Sequence, residues 1–128
     1  MKYGYAKKVE MSFDEAIHKV TEELKKEGFG VLTEIDMKGT LKKKLDVDVR
    51  PYKILGACNP PAAYEVLQQE EEIGLLLPCN VIVYENDKNE IMVSAIEPDA
   101  MLSVVDNPAV REQASVIQEK LHRAIDAV

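Results

Sequence analysis

A chain of 128 residues with 46% apolar and 30% charged residues has the length and composition of one globular domain with a core of its own. Its formal net charge of −7, from 23 acidic against 16 basic residues, argues against nucleic acid and anionic membrane surfaces as partners, since both call for a basic face. Residues 1–10 carry no apolar targeting segment and the longest apolar run, residues 73–77, is far too short to span a bilayer, so the expected setting is the cytosol, with Cys58 and Cys79 as reduced thiols.

Residues 2–9 alternate, with Tyr3, Tyr5 and Val9 on one face, and predict a strand. Ser12-Phe13-Asp14-Glu15 is a capping box that opens a helix. Phe13, Ala16, Ile17, Val20 and Leu24 form its apolar stripe, and Glu15–Lys19 and Glu22–Lys26 stand four apart on its wet side. Gly28 stops it, where a left-handed residue is wanted. Residues 30–37 predict a second strand and residues 40–45 a short helical turn anchored by Leu41 and Leu45. A third strand runs from Pro51 to Cys58. Asn59-Pro60 then caps and starts a helix whose buried side is Ala62, Ala63, Val66 and Leu67. Residues 79–85 and 90–97 predict two strands joined by a hairpin at Asn86-Asp87-Lys88-Asn89. A short helix is expected around residues 100–104, and Asn107-Pro108 opens a last helix with Val110, Ala114, Ile117, Leu121, Ala124 and Val128 on one face. The order β-α-β-(α)-β-α-β-β-α, with a hairpin forcing antiparallel pairing, predicts an α+β two-layer sandwich: a curved, mostly antiparallel sheet of about five strands with helices on one face.

Two junctions carry the candidate chemistry, Cys58-Asn59 and Cys79-Asn80. Cys58 ends a strand one residue before a helix cap, where backbone N–H groups and the helix dipole stabilise a thiolate. The competing reading is a small apolar side chain filling space, as free cysteines often do. Cys79 follows Pro78 and starts a strand, with no helix end of its own, and its interest is as a partner for Cys58 in a reversible disulfide or a soft-metal site. His18 and His122 have the wrong spacing for a zinc finger and read as boundary residues of two helices. Lys42, Lys43 and Lys44, with Arg50 and Lys53, are the one basic cluster and read as a solvated face. Gly28-Phe29-Gly30 follows a helix rather than a strand, so it is not a phosphate loop.

Gly28-Phe29-Gly30-Val31, Leu55-Gly56-Ala57-Cys58-Asn59-Pro60 and Gly74-Leu75-Leu76-Leu77-Pro78-Cys79-Asn80-Val81 together resemble the domain of unknown function 302 family of bacterial and archaeal proteins. The resemblance spans residues 13–109. It implies a two-layer α+β domain, helices on one side of a curved antiparallel sheet, and homodimers, but no assigned activity or cofactor. It also implies that the Asn-Pro and Leu-Pro elements belong to the scaffold and the cysteines to variable chemistry mounted on it.

The leading expectation is a non-enzymatic domain, a homodimer, that binds a small molecule near Cys58, Asn59, Cys79 and Asn80, since no acid/base or metal constellation stands out. The alternative is a thiol-based protein using Cys58 and Cys79 for redox work, sulfur carriage or soft-metal binding. A third class is an enzyme acting through polar groups such as Tyr52, Tyr64 or Asn80, which nothing in the sequence singles out.

Overall fold

The structure is a computed structural model and describes residues 2–128. In chain order it places β1 (Gly4–Val9), α1 (Phe13–Lys26), β2 (Gly30–Asp36), α2 (Met37–Leu45), β3 (Tyr52–Cys58), α3 (Pro60–Gln69), a 3-10 helix (Glu71–Leu76), β4 (Cys79–Glu85), β5 (Ile91–Ile96), α4 (Pro98–Met101) with a 3-10 turn after it (Leu102–Val104), and α5 (Pro108–Asp126). The strands form one antiparallel sheet in the order β1-β5-β4-β3-β2. The fold is α+β, as the alternation of elements and the hairpin predict.

Local chemistry explains most boundaries. Ser12 Oγ accepts the Glu15 N–H at 3.1 Å and starts α1. Gly28 ends the helix with φ +84, which lets the Gly28 N–H reach the Lys25 carbonyl and the Phe29 N–H the Leu24 carbonyl. Asn59 and Asn107 both cap with their side chains, each followed by proline. Asn89, at φ 60, turns the β4–β5 hairpin, and Asn86 Oδ1 accepts the N–H groups of Lys88 and Glu90 inside it.

The pleat sends alternate residues of the sheet to the helices: Val9, Leu55, Ala57, Cys79, Val81, Val83, Val93 and Ala95 are all buried. Against them lie Ala16, Val20 and Leu24 of α1 and Ile117, Leu121 and Ala124 of α5. A second cluster, with Val66, Ile73, Leu102, Val110 and Ala114, extends the core beneath α3 and the 3-10 helix. On the other face, Tyr52, Ile54, Ile82, Tyr84 and Met92 are half-buried, and the rings of Tyr52 and Tyr84 stack at 5.4 Å.

Several expectations need correction. The first strand begins at Gly4, and Tyr3 lies outside it, exposed. α2 is longer than the expected turn because Asp36, the last residue of β2, is also its cap, with Oδ1 accepting the Gly39 N–H at 3.0 Å. It has no buried residue, and Leu45 is 67% exposed rather than an anchor. A nine-residue helix leaning on β2 and β3 at the sheet margin does not reach the core. On α3 only Ala62 and Val66 are buried, whereas Ala63 is half-buried and Leu67 exposed.

The lysines of α1 also pair differently from the expected spacing. Lys26 Nζ at 2.9 Å and Lys19 Nζ at 3.0 Å both reach Oε2 of Glu23, which is nearly buried beside the apolar stripe. The hydrogen bonds from Lys26 and then Lys19 hold the Glu23 carboxyl below its ordinary value of 4.5. With the folded value below the unfolded one, this stabilisation is full above the unfolded value and is lost as pH falls through the folded one. Glu23→Gln removes it at neutral pH, so the gap in urea midpoint between wild type and variant should close as pH falls below the ordinary value of 4.5 and through the lower folded one. A gap that persists unchanged at low pH would show that the ion pairs are not its source.

Candidate functional site

β3 and β4 pair with Ala57 opposite Cys79, and β2 and β3 with Gly30 opposite Cys58. Both cysteine junctions are thereby carried to one end of the sheet, beside the start of α3. Between Val31 and Thr33 the register of β2 slips, leaving Leu32 without a partner on β3. Such a bulge re-aims side chains. Here Leu32 and Thr33 join the wall of a cavity of about 290 Å³. Its floor and sides come from Phe29, Cys79, Ala62, Val66, Leu102 and Ile117, and Leu32, 68% exposed, and Leu67, also exposed, stand at its rim.

Of the four residues expected at the site, three meet. Cys58, half-buried, and Asn59 and Cys79, both buried, line this cavity. Asn80 does not. It is exposed and paired with Gly56, and belongs to the opposite face of the sheet, near Tyr52 and Ile82. The two cysteines are free, and the register sets Cys79 against Ala57, one step out of line with Cys58. Among the described residues no group of three His, Cys, Asp or Glu side chains is placed to hold a metal ion.

The electrostatics at the two thiols run against easy ionisation at Cys79. Burial, and secondarily the charge of a Cys58 thiolate, push the Cys79 thiol up to about 11. Nor does α3 present donors to an anion. Its first two residues are Pro60 and Pro61, which have no N–H. The Ala62 N–H goes to Asn59 Oδ1 at 3.3 Å and the Ala63 N–H to the Asn59 carbonyl at 2.9 Å. Asn59 Nδ2 is itself engaged with the Glu27 carbonyl at 3.4 Å, tying the cap of α3 to the end of α1. The helix end that the sequence offers as a thiolate-stabilising site is therefore closed by its own cap and prolines. Native protein treated with N-ethylmaleimide near pH 8 should take up one label, on Cys58, with a second appearing only on unfolding. Equal labelling of both cysteines in the native state would show that Cys79 is neither covered nor held protonated.

The family model for the domain of unknown function DUF302 matches residues 5–128. The chain belongs to the DUF302 family. The crystal structure of an uncharacterized conserved DUF302 protein from Bacillus stearothermophilus is 30% identical to this chain, covers 99% of it and 98% of its own length, and superposes with a TM-score of 0.92. No curated protein matches the sequence. The likeness to the DUF302 structure covers the whole fold of sheet and helices, and no activity comes with it.

Sequence reasoning missed most of the cavity wall. Phe29 follows the glycine stop of α1, with no sign in the sequence of what it faces. Met101, Leu102 and Ile117 come from elements far along the chain. The consecutive apolar residues Val31 and Leu32, which break the alternation of β2, are the one local signal of the bulge. A larger, shallower cleft of about 920 Å³ lies between α2 and the Tyr52 and Ile54 side of β3. Arg50 and Lys38 at its edge are already engaged, Arg50 with Glu85 and the Asp87 carbonyl, Lys38 with the Val49 carbonyl. No helix among the described residues is long and apolar enough to cross a membrane.

Proposed function

We propose that this domain is a non-enzymatic small-molecule-binding module that works as a homodimer, with its ligand held in the cavity beside Cys58 and Cys79. The observation that carries the reading is the cavity itself: about 290 Å³, reached past exposed leucines and walled in part by Cys58, Asn59 and Cys79. Ligand sites are concave, mostly apolar and largely pre-formed. The dimer reading is supported by the sheet face opposite the core, where the half-buried Tyr52, Ile54, Ile82, Tyr84 and Met92 are flanked by α2 at one side only and offer an apolar surface that a second copy would cover.

The thiol-based alternative, with redox, sulfur-carrier or soft-metal chemistry at Cys58 and Cys79, has less support. It needs an ionisable Cys79 and a helix end able to stabilise a Cys58 thiolate. The first is opposed by burial and the second by the engaged donors of α3.

Native mass spectrometry of gently purified protein tests both parts of the proposal. The expected spectrum is a dimer carrying a small-molecule adduct that is absent from Ala63→Phe, which fills the cavity. A bare monomer, or an adduct unchanged in the variant, would contradict it. Turnover of a substrate that stops on filling the cavity would replace the binding reading with an enzymatic one.

A further inference from the structure

We infer that the ligand of this cavity is an uncharged, largely apolar molecule of about ten to twelve non-hydrogen atoms, an inference that rests on the cavity being the binding site. Size comes first. An apolar cavity of about 150 Å³ takes a benzene ring, and this one is about 290 Å³. A phenyl ring bearing a four-carbon chain, or a two-ring aromatic, fills such a space.

Charge follows from the wall. No Lys, Arg, His, Asp or Glu lines the cavity. Its polar side chains are Thr33, Cys58, Asn59 and Cys79, and each leaves little for an ion. Asn59 spends Oδ1 on the Ala62 N–H and Nδ2 on the Glu27 carbonyl. Cys79 is 5% exposed and stays a neutral thiol, a weak donor. The nearest helix start offers two prolines and engaged N–H groups where an anion would look for donors. A carboxylate, phosphate or ammonium entering here would lose its hydration and find no partner, which is costly for a full charge. A single neutral polar group is accommodated at the mouth, where Thr33 is exposed and Cys58 half-buried. The rest of the recognition is dispersion and apolar burial against Phe29, Val66, Leu102 and the two sulfurs.

The test is a matched series of equal shape and different charge: phenylbutanol, phenylbutyrate and phenylbutylammonium, titrated into ¹⁵N-labelled protein. The expected result is that phenylbutanol shifts the amide signals of Thr33, Ala62, Ala63 and Leu67, while the two ions bind about tenfold more weakly or less. The phenylbutanol shifts should vanish in Ala63→Phe. They should also weaken in Leu67→Trp, a rim substitution at an exposed site that leaves the core untouched. If the ions bind the same amides as well as the alcohol does, the inference about charge falls and the cavity remains a binding site. If none of the three moves these amides in wild-type protein, both the inference and the reading of the cavity as a site fall.

Discussion

Phe29→Ala is expected to destabilise the domain by about 4 kcal/mol in urea unfolding. Phe29 is 2% exposed and follows the glycine stop of α1, where its N–H closes onto the Leu24 carbonyl at 2.9 Å. Its ring fills the space between α1, β2 and the cavity, so truncation deletes a full aromatic contact set. The void left behind opens directly into the cavity and cannot be closed by a small shift of one neighbour. That combination of lost transfer energy and residual cavity lies at the upper end of core truncations. Leu32→Ala, on the exposed rim of the same cavity, should change stability by no more than about 0.5 kcal/mol. Comparable losses for the two variants would mean that the floor and the rim are not distinguished as described.

Gly56→Ala should cost about 3 kcal/mol, although it adds a single methyl group. Gly56 pairs with Thr33 just past the bulge of β2 and with Asn80 on β4. A Cβ there would overlap Thr33 Oγ1 and come within 2.8 Å of Pro78 Cγ. The Pro78 ring lies over the glycine with no slack. The absence of a side chain at 56 is what allows the bulge and the proline to meet across β3. Thr33→Ala in the same chain removes one of the two obstructions, so the double variant should recover part of the loss and the two changes should be non-additive. A Gly56→Ala protein as stable as wild type would contradict the close approach of these three segments.

The parts of the fold legible in the sequence are those decided within a few residues. Ser12, Gly28, Asn59-Pro60, Asn107-Pro108 and the Asn86–Asn89 turn each act on neighbouring backbone, and each does what its chemistry predicts. The start of α2 was not legible because Asp36 serves strand and helix at once, leaving no break between them. The choice of Glu23 over Glu15 and Glu22 as partner for the lysines was not legible either. Spacing alone permits all three, and only burial beside the apolar stripe makes Glu23 the carboxylate most in need of partners.

At the candidate site, the helix start that singles out Cys58 in the sequence does not serve an anion in the structure. Cys58 precedes a helix, but Pro60, Pro61 and Asn59 close that helix start against an anion. Those three residues stand side by side in the sequence, so the closure could have been read there. Asn80 adjoins Cys79 in the sequence, yet neighbours in a strand point to opposite faces, and Asn80 lies outside the cavity on that account. The cavity itself could not be read locally. It is made where α3, the α4 region and α5 cross the end of the sheet, and its wall includes Met101, Leu102 and Ile117, far from either cysteine in the chain.

The most direct test of the central claim, that the space beside Cys58 and Cys79 is a dry apolar site open to a ligand, is a crystal of the wild-type protein pressurised with xenon. Apolar cavities that exclude water take xenon readily. The account predicts a xenon peak enclosed by Phe29, Ala62, Val66 and Cys79, lost in Ala63→Phe. Ordered waters bonded within that space, with xenon bound elsewhere or not at all, would contradict it.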